Sequence, residues 1–205
     1  MYFRIFWSLL FDILPTDKYN IVMILTYADI VKKESNVRRA RNAIGKKKYF
    51  KIGHGLYVKD LITYDSLELI FYRYKNITVT LDTAFEIYNM VDRNNPKYKI
   101  ATIEGAKVIY SINVDQIYIS KKYYNIGRTK MNYKGFTIYI YDKERLLIEL
   151  IRNKYRLSYD YYKEVVNSYR ELVKNNEIDF VKLNKYLKHF TYGDHILARI
   201  VEAVL

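Results

Sequence analysis

Thr26-Tyr27-Ala28-Asp29-Ile30-Val31-Lys32-Lys33-Glu34, then Ser35-Asn36, then Val37-Arg38-Arg39-Ala40-Arg41-Asn42-Ala43-Ile44-Gly45, and finally Lys48-Tyr49-Phe50-Lys51-Ile52-Gly53-His54-Gly55-Leu56-Tyr57-Val58: these residues decide the fold. Thr26 is an N-cap with Asp29 at N3, a capping-box arrangement that opens a helix running to about Glu34. Ser35 and Asn36 make a tight turn, and Asn36 caps a second helix over about Val37 to Ile44. In that helix Val37, Ala40 and Ile44 make one apolar stripe, while Arg38, Arg41 and Asn42 lie on a different face with Arg39 beside them. Gly45 is expected to end it in the left-handed conformation. Phe50 and Ile52 alternate with Lys51 as in a half-buried strand, Gly53-His54-Gly55 turns the chain, and Leu56-Tyr57-Val58 returns it. Helix, turn, helix and hairpin together describe a winged helix-turn-helix.

The charge pattern says what such a module meets. From Lys32 to Lys59, ten cations stand against one acid, Glu34. The whole chain of 205 residues carries a formal charge of +13, which favours a polyanion partner. Lys, Asn, Ile and Tyr are abundant, as AT-rich codons produce, so clustering and the use of Arg weigh more than the total. Arg38, Arg39, Arg41 and Asn42 are the expected readers of base edges in the major groove, where Arg pairs bidentately with guanine and Asn with adenine. Lys46, Lys47, Lys48, Lys51 and His54 are the expected contacts to the sugar-phosphate backbone, fixing register without reading sequence. The alternative for the same face is a solvated basic surface on a module that docks protein.

Beyond Asp60 a second domain is expected over 61–205, with the winged helix at 23–60 and an extension at 1–22. Asp65 to Tyr74 reads as a helix, Ile77 and Val79 as a short strand, and Thr80 as the cap of a helix bearing Ala84, Phe85, Ile87, Tyr88 and Met90. Strand-like pieces follow at Tyr98–Ile103, Gln116–Ile119 and Phe136–Tyr141. The chain then turns helical, with caps at Asp142, Ser158 and Asp179. The fold class is therefore α+β: an N-terminal winged helix-turn-helix, then a mixed domain with a small β-sheet and a helical C-terminus.

Other chemistry has little to build on. There is no Cys, which removes disulfides and thiolate chemistry. His54, His189 and His195 are scattered, without the spacing of a zinc site. Asp82, Glu86, Asp142 and Glu144 with Lys143 are the candidates for a metal-dependent nuclease. Their bland reading is helix caps, a solvated Glu86, and a Glu144–Arg145 ion pair. Gly105, Gly127 and Gly135 are isolated and form no phosphate loop. The tyrosines can stack on bases, but they recur on apolar stripes as core residues do. No cofactor, metal or catalytic group is expected. The apolar run Met1 to Pro15 carries Arg4 and Asp12 and is shorter than the roughly 20 residues of a membrane span. It lacks a cleavage site, and Met23 can be the natural start; the expectation is a soluble, cytoplasmic protein with no membrane partner.

The ordered set of blocks resembles AbiE-family type IV antitoxins. The resemblance runs through the winged-helix residues, Thr80-Leu81-Asp82-Thr83-Ala84-Phe85, Met131-Asn132-Tyr133-Lys134-Gly135, Ile140-Tyr141-Asp142-Lys143-Glu144-Arg145-Leu146-Leu147-Ile148-Glu149-Leu150-Ile151-Arg152, and Asp160-Tyr161-Tyr162-Lys163-Glu164. It spans about Ile24 to Leu205; Met1 to Val22 has no counterpart. It implies the antitoxin half of a two-gene phage-defence (abortive infection) module. Such a protein represses its own promoter by binding inverted repeats in double-stranded DNA, and counteracts a nucleotidyltransferase-like toxin without being an enzyme. The alternative is a stand-alone winged-helix transcriptional regulator with a C-terminal sensing or dimerisation domain.

Overall fold

The structure, a computed structural model, describes residues 24–61, 64–93 and 95–205. The expectations for the apolar run Met1 to Pro15, the extension to Val22 and a start at Met23 lie outside those residues. The chain divides into two compact units between Leu69 and Ile70.

In the first unit, β1 (Leu25–Thr26) leads into α1 (Tyr27–Lys33) and α2 (Val37–Gly45), followed by β2 (Phe50–Gly53) and β3 (Leu56–Val58). The strands form an antiparallel sheet of order β1-β3-β2, so the architecture is a winged helix. The two-residue β1 was not legible as a strand; it exists because it pairs with β3. Leu25, Ile30, Ala40, Ala43 and Tyr49 make the core, with Val31, Ile44 and Tyr57 packed against it. The apolar face of α2 is therefore Ala40, Ala43 and Ile44. Val37, expected on that stripe, is the first residue of the helix and is 46% exposed, outside this cluster. The expected left-handed Gly45 is instead the last helical residue, and Lys47 takes positive φ (56°). Lys47 N–H donates to the Ile44 carbonyl and Lys48 N–H to the Ala43 carbonyl (both 3.0 Å), the paired bonds that close a helix end around a left-handed residue.

Helix α3 (Ser66–Arg73) crosses the division and is started by the Asp65 carboxylate, which accepts from Leu67 N–H (2.8 Å). The second unit continues with β4 (Thr78–Val79), α4 (Leu81–Ile87), β5 (Tyr98–Ile103), β6 (Val114–Ile119), α5 (Lys121–Tyr124), β7 (Arg128–Tyr133) and β8 (Phe136–Tyr141). The helical end is α6 (Lys143–Arg152), a 3₁₀ turn at Lys154–Arg156, α7 (Tyr159–Lys174), α8 (Phe180–Leu187) and α9 (Gly193–Val204). Its sheet has the order β6-β5-β4-β8-β7, with β5–β6 and β4–β8 parallel and the other pairs antiparallel. The small β4 is central and fully buried. Strand β7 joins β8 by a two-residue turn at Lys134-Gly135, both with positive φ, the twist that suits a tight hairpin. Thr80 precedes α4 in extended backbone but makes no side-chain cap bond, and the helix stops at Ile87, short of Met90. Asp142, Ser158 and Asp179 cap α6, α7 and α8 as expected.

Helix α6 anchors the second unit and buries charge. Arg145 is fully buried, its Nη2 donating to Glu149 Oε1 (2.6 Å) and its Nη1 to the Tyr123 carbonyl (2.9 Å). The guanidinium lies 4.7 Å from the ring centres of both Tyr141 and Phe190. Glu144 pairs instead with Lys182 (2.8 Å), so the expected Glu144–Arg145 pair does not form: neighbours in a helix point about 100° apart. Gly127 makes room for this arrangement. A Cβ there would meet Arg145 Cβ at 2.4 Å, and its φ of +70° suits glycine.

Candidate nucleic-acid interface

The helix pair is built to hold α2 outward. Thr26 Oγ1 accepts from Asp29 N–H (3.2 Å), and Asp29 Oδ2 accepts from Thr26 N–H (2.8 Å) and from the Thr26 hydroxyl (2.6 Å). The hydroxyl bond, then the backbone N–H, hold the Asp29 carboxyl below its ordinary range. Ser35 turns the chain with φ of 69°, and Asn36 Oδ1 accepts from Arg39 N–H (2.8 Å). With Ala40 and Ala43 buried on one side, Arg38, Arg39, Arg41 and Asn42 are all left exposed on the other. Their side chains have no hydrogen bond or ion pair among the described residues. The structure thus brings the four expected base readers together on the free surface of one helix.

Lys46 and Lys47 stand exposed at the end of α2, and Lys51 is exposed on β2. His54 sits at the exposed tip of the wing, beside Gly55, whose carbonyl accepts from Tyr27 N–H (3.1 Å). That bond ties the wing tip to the start of α1, which sequence reading did not reveal. Lys48 is placed differently. Its Nζ donates to Glu34 Oε1 (2.6 Å), and Tyr49 Oη donates to the same oxygen (2.7 Å). The one acid among the ten cations is therefore spent on a clamp between the end of α1 and the start of β2. The Lys48 ammonium, then the Tyr49 hydroxyl, hold the Glu34 carboxyl below its usual range; burial, then Glu34, push the Tyr49 phenol up. With Glu34 engaged, nothing acidic remains on α2 to oppose a phosphate. The signal was present in the sequence, since a lone acid amid cations has an obvious partner, but which cation took it was set by the hairpin.

In the second unit the carboxylates considered for a nuclease are taken up in ion pairs and hydrogen bonds, with Asp142 and Glu144 converging on Lys182. Asp142 accepts from Arg145 N–H (2.9 Å) and the Tyr186 hydroxyl (2.8 Å) and pairs with Lys182 (3.0 Å). Lys143 pairs with Glu177 (2.8 Å). Glu86 accepts from Asn95 N–H (3.2 Å), and Asp82 lies 3.9 Å from Lys99, which also pairs with Asp115. Among the described residues no group of three or more His, Asp and Glu side chains is placed to hold a metal ion. No helix among them is long and apolar enough to cross a membrane.

No protein-family model matches the chain, and no curated protein matches it in sequence. In structure it is similar to the Rv2827c protein from Mycobacterium tuberculosis, with a TM-score of 0.60 at 12% identity over 90% of this chain and 73% of that one. At that identity the likeness bears on the fold.

Proposed function

We propose that this chain is a sequence-specific double-stranded DNA-binding protein that represses its own promoter, and that it serves as the antitoxin of a type IV, AbiE-like module against a nucleotidyltransferase-like toxin. The observation that carries the DNA reading is the exposed face of α2: three arginines and an asparagine together, without side-chain partners among the described residues, on the second helix of a winged helix. An α-helix fits the major groove, and each bidentate pair there contributes roughly 1–3 kcal/mol of discrimination. Lys46, Lys47, Lys51 and His54 flank the helix as backbone contacts, with Lys48 able to join them by leaving Glu34. The antitoxin half rests on the resemblance of the ordered sequence blocks. A protein with this role works in the cytoplasm.

The test is titration of the purified protein onto its own upstream DNA against salt, with scrambled DNA as competitor. Specific binding that weakens steeply with salt is expected. Arg38→Ala, Arg39→Ala and Arg41→Ala together should abolish preference for the upstream DNA without lowering Tm. Unchanged preference would sink the assignment. Co-expression with an adjacent nucleotidyltransferase-like gene should restore growth; operator binding without rescue would leave the stand-alone regulator.

A further inference from the structure

The second unit carries its own cationic surface. Two adjoining grooves, of about 450 and about 540 Å³, share Ile151, Tyr155 and Arg199 among their lining residues. Exposed tyrosines line both. Tyr155 is 85% exposed, Tyr159 71% and Tyr192 74%. Tyr161, Tyr162 and Tyr169, close by in the chain, are core, so Tyr155 and Tyr159 are set apart from their sequence neighbours. Tyr155 projects from the 3₁₀ turn between α6 and α7, flanked by Lys154 and Arg156. Among the described residues its ring has no ring contact, cation contact or hydrogen bond.

The charge around the tyrosines is one-sided. Lys154, Lys163, Arg170 and Arg199 line the first groove against a single carboxylate, Glu202, and no carboxylate lines the second. Arg170 is committed, donating from Nε to the Ala203 carbonyl (2.9 Å). Lys154, Lys163 and Arg199 pair with no carboxylate among the described residues. Lys154 and Lys163 instead lie 5.1 Å from the ring centres of Tyr162 and Tyr159. Cations without a carboxylate, in a groove edged by the free ring of Tyr155 and by the Tyr159 ring with Lys163 beside it, match what a nucleic acid strand offers when its bases are unpaired: phosphates for the cations and π-faces for the rings. A duplex stacks its bases internally and presents no face to Tyr155, and a concave surface does not enter its grooves.

We propose that these grooves bind single-stranded nucleic acid, with Tyr155 and Tyr159 as stacking platforms and Lys154, Lys163 and Arg199 on the backbone phosphates. This site is separate from the duplex-reading face of α2 and stands or falls without it.

The test uses the full chain carrying Arg38→Ala, Arg39→Ala and Arg41→Ala, so that α2 does not contribute. Fluorescence anisotropy would follow labelled mixed-sequence RNA and DNA single strands of about 12 nucleotides, and a duplex of the same composition. Both single strands should bind more tightly than the duplex, and their ratio says whether the 2′-hydroxyl matters. Tyr155→Ala should weaken single-strand binding by about 5- to 150-fold, the range of one lost base stack. Tyr155→Phe, which keeps the π-face, should restore it. Arg199→Ala should lower the slope of log affinity against log salt by about 0.7. Tyr155 is exposed enough that neither change should move Tm. The proposal is overturned if the duplex binds as well as the single strands, if no strand binds, or if Phe and Ala at 155 behave alike. It is also overturned if polyglutamate of matched charge competes as well as RNA, since the surface would then take an acidic protein.

Discussion

Arg38, Arg39 and Arg41 stand exposed on α2 with no side-chain partner among the described residues, whereas Arg145 on α6 is fully buried and held by Glu149, the Tyr123 carbonyl and two aromatic rings. Both helices are short, amphipathic and rich in arginine. What differs is the arithmetic of partners. In the winged helix Asp29 is engaged by Thr26 and Glu34 by Lys48 and Tyr49, so the arginines keep their hydrogen-bonding capacity for something outside the molecule. In α6 two glutamates are buried with the arginine, and the charges are consumed internally. A cation is available for recognition when its neighbours leave it unsatisfied, not because a motif is basic.

The largest effect should come from breaking the consumed side. Arg145→Ala leaves the buried Glu149 with the partly exposed Arg152 (2.9 Å) and the Asn153 amide (3.2 Å), and removing one member of a buried pair costs about 3–5 kcal/mol. Chemical denaturation followed in the second unit should show that loss, while Arg39→Ala should stay within about 0.5 kcal/mol of the parent. Equal, small effects at both positions would erase the distinction between the two arginines. Gly127→Ala should mimic Arg145→Ala, because its Cβ would fall on Arg145 Cβ.

The same contrast explains what could be read from sequence. The winged helix is specified by local signals: a Thr26–Asp29 capping box, an Asn36 cap and a Gly55 turn each act within a few residues. The α6 cluster is not. Glu144, Arg145 and Glu149 look like surface residues in a helical pattern, and nothing in their spacing announces Lys182, Tyr123 or Gly127 as partners. Strand β7 alternates weakly as an edge strand and takes its identity from β8, whereas the buried β4 was announced by Ile77 and Val79. The exposure of Arg38, Arg39, Arg41 and Asn42 was legible, since the buried side of α2 is small and apolar. Tyr155 and Tyr159 were missed as a surface because neighbouring tyrosines in the same stretch are core.

A middle-sized effect concerns acid. The folded winged helix holds Asp29 and Glu34 below the ordinary carboxylate range. A lowered folded pKa gives stability that is complete at neutral pH and is lost as pH falls through the lowered values. Glu68 opposes them. Buried beside Ile24 N–H (3.2 Å), its carboxyl is raised by burial, so its contribution is lost as pH rises through the raised value. Protection factors of the α1 amides, taken relative to the intrinsic exchange rate at each pH, should therefore fall between neutral pH and about pH 3 in the parent, and by less in Glu34→Gln. In Glu68→Gln the neutral-pH protection should rise. An unchanged acid response in Glu34→Gln would mean that the Lys48 clamp contributes nothing to holding the helices.

The smallest effect is the most discriminating, because it separates stability from recognition within one residue. Lys47 occupies the left-handed position that closes α2, while Gly45, two residues earlier, is helical and meets nothing within 4 Å of where a Cβ would stand. Local stability would favour the opposite assignment. Lys47→Gly should gain up to about 1 kcal/mol by relieving the positive φ, and Gly45→Ala a similar amount from helix propensity. If Lys47 touches a phosphate, however, Lys47→Gly should also lower the salt slope of operator binding by about 0.9, and Gly45→Ala should leave that slope alone. A stabilised Lys47→Gly protein with unchanged operator affinity and slope would remove Lys47 from the interface. The cation would then sit in a strained backbone for no purpose that α2 can supply.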